Sequence, residues 1–249
     1  MNKLLLAGAA ALAVCIGVAT TPAEATVINY DLAGAGQNIQ SSYTNQGVTF
    51  TGWERNSYTH SIDQANLYFK NESSYERGLG LVCNPGAGYG SKCSQHEIGS
   101  SPAQAIDINI SSLLAMPGFT QLTIGVGSVD SNGGGYQSES ALIWGSSATA
   151  QAGRGSFTFL DQYKYGYNGN SKVSTFTFTA AQLAAYDYLH VTDGGGYFGN
   201  GSSGCLGNVL LSSVSATVNQ VPEPSGSGMF DFGLLAIGAL AGLRRRSKS

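Results

Sequence analysis

Between residues 26 and 220, apolar and polar side chains alternate with a period of two. The alternation is plain in Val48-Thr49-Phe50-Thr51, in Ile106-Asp107-Ile108-Asn109-Ile110 and in Ser156-Phe157-Thr158-Phe159. It recurs in Leu122-Thr123-Ile124-Gly125-Val126 and in Val173 to Phe178, and Val209 to Val218 forms a final apolar stretch. Such segments, rich in Val, Ile, Thr and Phe, predict strands buried on one face. Gly, Asn and Ser clusters separate them at short intervals, the spacing of a sandwich or jelly roll. The only helical candidate, Ala180 to Ala185 behind the capping residue Thr179, is short enough to be a connection between strands. The expected fold is all-β, a single β-sandwich or jelly-roll-like domain of about ten strands, the number that fits this length.

The two ends break the pattern. Met1-Asn2-Lys3 precedes an uncharged run from Leu4 to Ala19, and Ala23-Glu24-Ala25 follows. A basic start, an apolar centre and a small-residue site ending at Ala25 predict a secretory signal peptide over residues 1–25. At the other end, Val221-Pro222-Glu223-Pro224-Ser225 leads into a Gly-Ser stretch. Phe232 to Leu243 carries no charge, and Arg244-Arg245-Arg246-Ser247-Lys248-Ser249 closes the chain. The uncharged part alone spans only ~18 Å as a helix, and extension back to Ser225 gives ~28 Å. That approaches a ~30 Å hydrocarbon core, so a single membrane helix is expected over about 226–243. Its basic tail would stay cytoplasmic. The organisation expected is therefore 1–25 signal, 26–220 extracellular β domain and 221–249 sorting signal.

Val-Pro-Glu-Pro, a short apolar segment and an arginine cluster in this order resemble the PEP-CTERM sorting signal, over Val221 to about Lys248. The resemblance implies a Gram-negative bacterial protein, exported with the help of signal peptidase and recognised by an exosortase. Cleavage is implied near Pro222-Glu223-Pro224, with transient anchoring in the inner membrane and release to the cell surface or an extracellular exopolysaccharide matrix. Asp231 interrupts the segment where the family usually continues apolar. The middle is similar to other such proteins in a Gly78-Leu79-Gly80 turn, in a long strand with an Asp-rich turn from Phe119 to Asp130, and in a last strand running into the motif. No catalytic role comes with that resemblance.

Composition sharpens this. Glycine supplies 35 of 249 residues, about twice the usual ~7%. Charged residues are 11% and hydrophobic ones 42%, which excludes ordinary charge-rich disorder. The net charge is −3, but residues 26–220 hold seven Lys or Arg against twelve Asp or Glu. An acidic body with its basic residues concentrated in the tail offers no nucleic-acid surface. Membrane contact is expected only through the terminal segments.

Chemistry is sparse. Cys15 lies in the signal, leaving Cys83, Cys93 and Cys205 in an oxidising compartment. The turn-rich segment between Cys83 and Cys93 can bring its ends together, so a Cys83–Cys93 disulfide is expected, stabilising by ~2–3 kcal/mol in the chain-entropy model. Cys205 is left as a thiol, as an alternative partner to either, or as an intermolecular bridge. Cys93-x-x-His96, with Cys83 and Glu97 nearby, fits no structural zinc spacing, so no metal is expected there. His60, His96 and His190 are the only histidines, and no Gly-x-Ser-x-Gly turn lies between a strand and a helix. They are expected at the surface or hydrogen-bonded. Glu54, Asp63, Glu72, Glu76, Glu97 and Glu139 offer carboxylates for glycoside hydrolysis, but nothing in their spacing selects a pair. An enzyme is not expected.

Two loops echo one another. Asp130-Ser131-Asn132-Gly133-Gly134-Gly135-Tyr136 and Asp193-Gly194-Gly195-Gly196-Tyr197 each offer an Asp, three glycines and a Tyr after a strand. Asp130, Asn132 and Asp193 could hold a sugar hydroxyl or give oxygens to calcium, the one cofactor candidate, although the spacing is not that of an EF-hand. Tyr136 and Tyr197 could form a platform for a sugar ring. The expected function is a structural or adhesive component of a biofilm or floc matrix. The alternatives are a carbohydrate-binding module for the cell's own exopolysaccharide and a polysaccharide hydrolase or lyase.

Overall fold

A computed structural model of the chain describes residues 24–32, 37–38, 40–56, 58–72, 76–82, 96–99, 103–128, 140–164, 173–194 and 208–220. The described residues are dominated by antiparallel strands. They are β1 (Ala25–Tyr30), β2 (Gln37–Asn38), β3 (Ser42–Asn45), β4 (Val48–Arg55), β5 (Ile62–Asn71), β6 (Arg77–Val82) and β7 (Ile98–Gly99). There follow β8 (Gln104–Asn109), β9 (Phe119–Gly127), β10 (Ser140–Ser146), β11 (Thr158–Lys164), β12 (Ser174–Thr179), β13 (Tyr188–Asp193) and β14 (Asn208–Asn219). Two short helices, α1 (Ser111–Leu114) and α2 (Ala180–Leu183), join strands. Thr179 caps α2 through a reciprocal box with Gln182, which satisfies backbone donors that a four-residue helix leaves open.

The strands pair in the order β11-β10-β13-β8-β4-β5-β6-β14-β9-β12. Strand β5 turns the corner. Its residues 62–65 pair with β4 and its residues 66–71 pair with β6. One layer, β11 to β4, and a second, β6 to β12, thus share β5. Apolar side chains of both layers meet in one core. Phe50, Ile106, Ile108, Ile143, Leu189 and Val191 come from the first, and Leu79, Leu122, Ile124, Phe176, Leu211 and Val214 from the second. Each such burial contributes roughly 1.5–3 kcal/mol of transfer free energy. In β14 the buried set changes parity, from Val209 and Leu211 to Val214 and Ala216. A bulge between Leu211 and Ser213 supplies the extra residue that makes this possible.

Ala25–Asn219 is one compact unit. The chain enters and leaves it side by side, because Ala25 of β1 faces Asn219 of β14. At that end lie α1 and Gly118, whose carbonyl accepts from Asn219 N. The opposite end holds the start of β14 and the end of β9, where Leu210 faces Gly127, and β7, where Gly99 faces Asn208. The start of β8 joins them, since Gln104 Oε1 accepts from Gly99 N. The end of β13 and the start of β10 follow from the ladders Ala105–Thr192 and Ala141–Asp193.

Several expectations are corrected. Ser156 and Phe157 precede β11 and are not part of a strand, because residues Ala150–Ala152 and Arg154–Ser156 form two single helical turns. Gly78-Leu79-Gly80 is the centre of β6 and not a turn. The described residues contain fourteen strands, more than the ten expected. Two of the additions, β2 and β7, are two-residue pairings too short to leave a periodic signature.

Candidate functional site

Within the first layer, β8, β10 and β13 are buried on both faces. In β8, Ile106 and Ile108 point into the core, so Asp107 points the other way. In β13 the same alternation turns His190 and Thr192 outward from the core, and in β10 it turns Trp144 and Ser146 outward. The ladder then sets Asp107 opposite His190 and His190 opposite Trp144. His190 Nδ1 lies 2.5 Å from Asp107 Oδ1, and His190 Nε2 lies 2.7 Å from Ser146 Oγ. A carboxylate, an imidazole and a hydroxyl therefore stand in a line across three adjacent strands. Exposures of 1%, 0% and 3% seal the line from solvent.

Residues 147–157 form the seal. Ala150 N donates to Asp107 Oδ2 at 2.8 Å, so both carboxylate oxygens are used. The Phe157 ring stacks on the His190 imidazole, 3.9 Å between centroids. Arg154 sits over Trp144, and Trp144 Nε1 donates to Thr192 Oγ1. Beside the line, Trp53, Ile62, Ala103, Ala105 and Ala150 form a small apolar cluster against Phe157. Trp53 Nε1 is buried in it with no acceptor among the described residues.

Counting hydrogens shows what the line can do. Ser146 Oγ accepts from Ala148 N and has two acceptors within reach for its single hydrogen, Ala148 O and His190 Nε2. If it donates to His190, the imidazole is neutral and Nδ1–H points to Asp107. If it donates to Ala148 O, Nε2 must itself carry hydrogen, and His190 becomes an imidazolium paired with the Asp107 carboxylate. The first arrangement is that of a serine nucleophile with its base and orienting carboxylate. The second is a structural ion pair.

A second buried polar group lies on the outer face of β5 and β6. Lys70 Nζ is 2.6 Å from Glu97 Oε1, 3.5 Å from Glu72 Oε2 and 3.8 Å from Glu76 Oε1. Ser128 Oγ donates to the same Glu97 oxygen at 2.8 Å. The segment carrying Glu97 crosses β6 at Gly80, where an added Cβ would stand 2.0 Å from His96 O; only glycine admits it. His96 stacks on Tyr68, its neighbour across that crossing. Burial works to lower the Lys70 pKa, but the Glu97 hydrogen bond and the charges of Glu97, Glu76 and Glu72 outweigh it and hold the ammonium above the ordinary lysine value.

Of the residues singled out in the sequence, Ala25 opens β1 and Asp193 ends β13. Asp193 is buried, at the base of its loop and not on an exposed surface. Ala23, Cys83, Cys93, Cys205, Asp130, Asn132, Tyr136, Tyr197, Glu139 and the motif residues Val221, Pro222, Glu223, Pro224, Arg244, Arg245 and Arg246 lie outside the described residues, as does the 226–243 helix. Among the described residues no helix is long and apolar enough to cross a membrane, and no metal-holding cluster of His, Cys, Asp and Glu occurs. Three of the carboxylates weighed for hydrolysis, Glu72, Glu76 and Glu97, gather around Lys70. Glu54 accepts from Gln104, and Asp63 accepts from Ser61. The Asp107–His190–Ser146 line was missed. Its only trace in the sequence is a titratable residue between two core positions, as in Ile106-Asp107-Ile108 and Leu189-His190-Val191. No protein-family model matches the chain, and no curated protein matches it in sequence.

Proposed function

We propose that the chain is an exported bacterial protein, passed by an exosortase to the cell surface or exopolysaccharide matrix, where a β-sandwich body serves as a structural or adhesive component. The reading rests on the two terminal patterns, and one observation of the fold carries it further. Ala25 and Asn219 face each other at one end of the body, while the long connections from β9 to β10 and from β13 to β14 leave and re-enter their strands at the other. A body whose two chain ends leave together at one end, with those connections starting from the opposite end, suits display from a surface or along a polymer. Replacement of Pro222, Glu223 and Pro224 by alanine tests sorting. The replaced protein is expected to stay with the inner membrane, and unchanged release to the surface would refute the reading.

The second reading, a module for the cell's own exopolysaccharide, is favoured by the ends of the two Asp-Gly-Tyr loops. Ser128 and Ser140 bracket one, Gly194 and Asn208 bracket the other, and all four lie at that same end. Retention on the producer's polysaccharide is expected to fall in a Tyr136→Ala, Tyr197→Ala variant. Equal retention would remove the proposed sugar platform.

A further inference from the structure

We propose that Ser146 is a latent nucleophile for acyl transfer, armed by His190 and Asp107 and held shut by residues 147–157. The distances of 2.7 and 2.5 Å along Ser146–His190–Asp107 are those of working hydrogen bonds. The line does not depend on a loop, since its members sit on β10, β13 and β8 in register. What prevents reaction is the cover: the Ala148 carbonyl competes for the Ser146 hydrogen, and Phe157 lies on the imidazole. Its glycines are the places where the cover would turn: Gly153 holds a φ of +81°, and nothing stands within 4 Å of a Cβ placed on Gly155.

Lifting the cover removes Ala148 O and leaves His190 Nε2 as the acceptor. Ser146 Oγ then adds to the acyl carbon of an ester as its proton passes to Nε2, and Asp107 steadies the imidazolium through Nδ1. Collapse breaks the acyl carbon–alkoxy oxygen bond, and the departing alcohol takes the proton. Water repeats the cycle on the Ser146 ester and releases the acid, so no further reactant is required. The substrate class is set by the surroundings. Trp144, Trp53 and Ala105, which stay on their strands when the cover lifts, offer apolar walls for a small acyl group, and Trp53 Nε1 offers a buried donor without an acceptor among the described residues. Esters of small acyl groups fit, and charged acyl groups do not.

The test is labelling of the full-length chain with a fluorophosphonate, with the adduct mapped by peptide mass. Slow modification of Ser146 is expected, about tenfold faster in Phe157→Ala, the factor that corresponds to ~1.4 kcal/mol less closure. It should be lost in Ser146→Ala and in His190→Gln. Nitrogen NMR of Phe157→Ala is expected to show His190 protonated at Nδ1 only. No Ser146 adduct in either wild type or Phe157→Ala, with native circular dichroism, would overturn the proposal. An adduct of equal rate in His190→Gln, or a doubly protonated His190 in Phe157→Ala, would overturn it too. If Ser146→Ala does not fold, the His190→Gln rate and the NMR spectrum still decide.

Discussion

Two buried polar groups among the described residues, the Asp107–His190–Ser146 line and the Lys70–Glu97–Ser128 group, are built in opposite ways. Asp107, His190 and Ser146 come from three neighbouring strands, so the ladder itself sets their spacing. Lys70, Glu97 and Ser128 come together only because a separate segment crosses β6 at Gly80. In the first group both Asp107 oxygens are already committed, one to His190 and the other to Ala150. The second has spares, since Glu72 and Glu76 also stand near Lys70. A buried polar group without substitutes should be brittle, and one with substitutes should tolerate loss.

The sharpest break is Asp107→Ala. It strands His190 Nδ1 and Ala150 N together in a sealed site, and the expected loss is about 3–5 kcal/mol, read from urea denaturation. In the second group the two partners should differ. Lys70→Met leaves the Glu97 carboxylate buried with only Ser128 of the described groups to donate to it, at an expected cost of about 3 kcal/mol. Glu97→Gln leaves Lys70 with Glu72 and Glu76, and about 1.5–2 kcal/mol is expected. Equal costs for these two variants would show that Glu72 and Glu76 do not substitute.

The same contrast explains what could be read from residue order. Strands with one wet face, such as β12 with Phe176 and Phe178 inward and Thr175 and Thr177 outward, were legible because burial follows alternation. Strand β10 was not, because every one of its residues is buried and the period vanishes. Strand β5 was hidden for another reason. Ile62 faces the small cluster behind the first layer, while Ala65, Leu67 and Phe69 face the main core, so its parity changes where it turns between layers. The candidate site inherits both problems. Asp107 and His190 occupy positions that alternation assigns to solvent, and the segment that covers them, residues 147–157, shows alternation only at Ser156-Phe157, where it points to a strand that does not form. A Ser-His-Asp line also needs strand order, and β8, β10 and β13 are neighbours in space but not in sequence.

Alkaline titration separates the groups by charge. Lys70 has a folded pKa above its ordinary 10.5, so its pairing stabilises fully below that value and is lost as pH rises through the folded pKa. Tyr30 acts in the same direction, because burial raises its phenol above 10.0. Unfolding free energy followed from about pH 9 to about pH 11.5 should fall, and less so in Lys70→Met. An identical fall in that variant would assign the alkaline loss to Tyr30 and leave the Lys70 group without a part in it.

The smallest effects lie at the two serines, and they probe the comparison most finely. Ser128→Ala removes one donor from Glu97, which keeps Lys70; about 1 kcal/mol is expected. Ser146→Ala removes a group that accepts from Ala148 N, contacts Ala148 O and meets His190 Nε2, so at least Ala148 N and the His190 ring nitrogen lose a bond at once. About 2–3 kcal/mol is expected, mostly from the stranded ring nitrogen. Each serine should also couple differently to its neighbour. A double-mutant cycle between Ser146→Ala and His190→Gln should show an interaction of about 1 kcal/mol or more, because both act on one hydrogen-bonded line. The cycle between Ser128→Ala and Lys70→Met should show less, since Glu97 stands between them. Interaction energies of equal size would mean that the ladder-built and the segment-built groups are equally cooperative, and the distinction between them would fall.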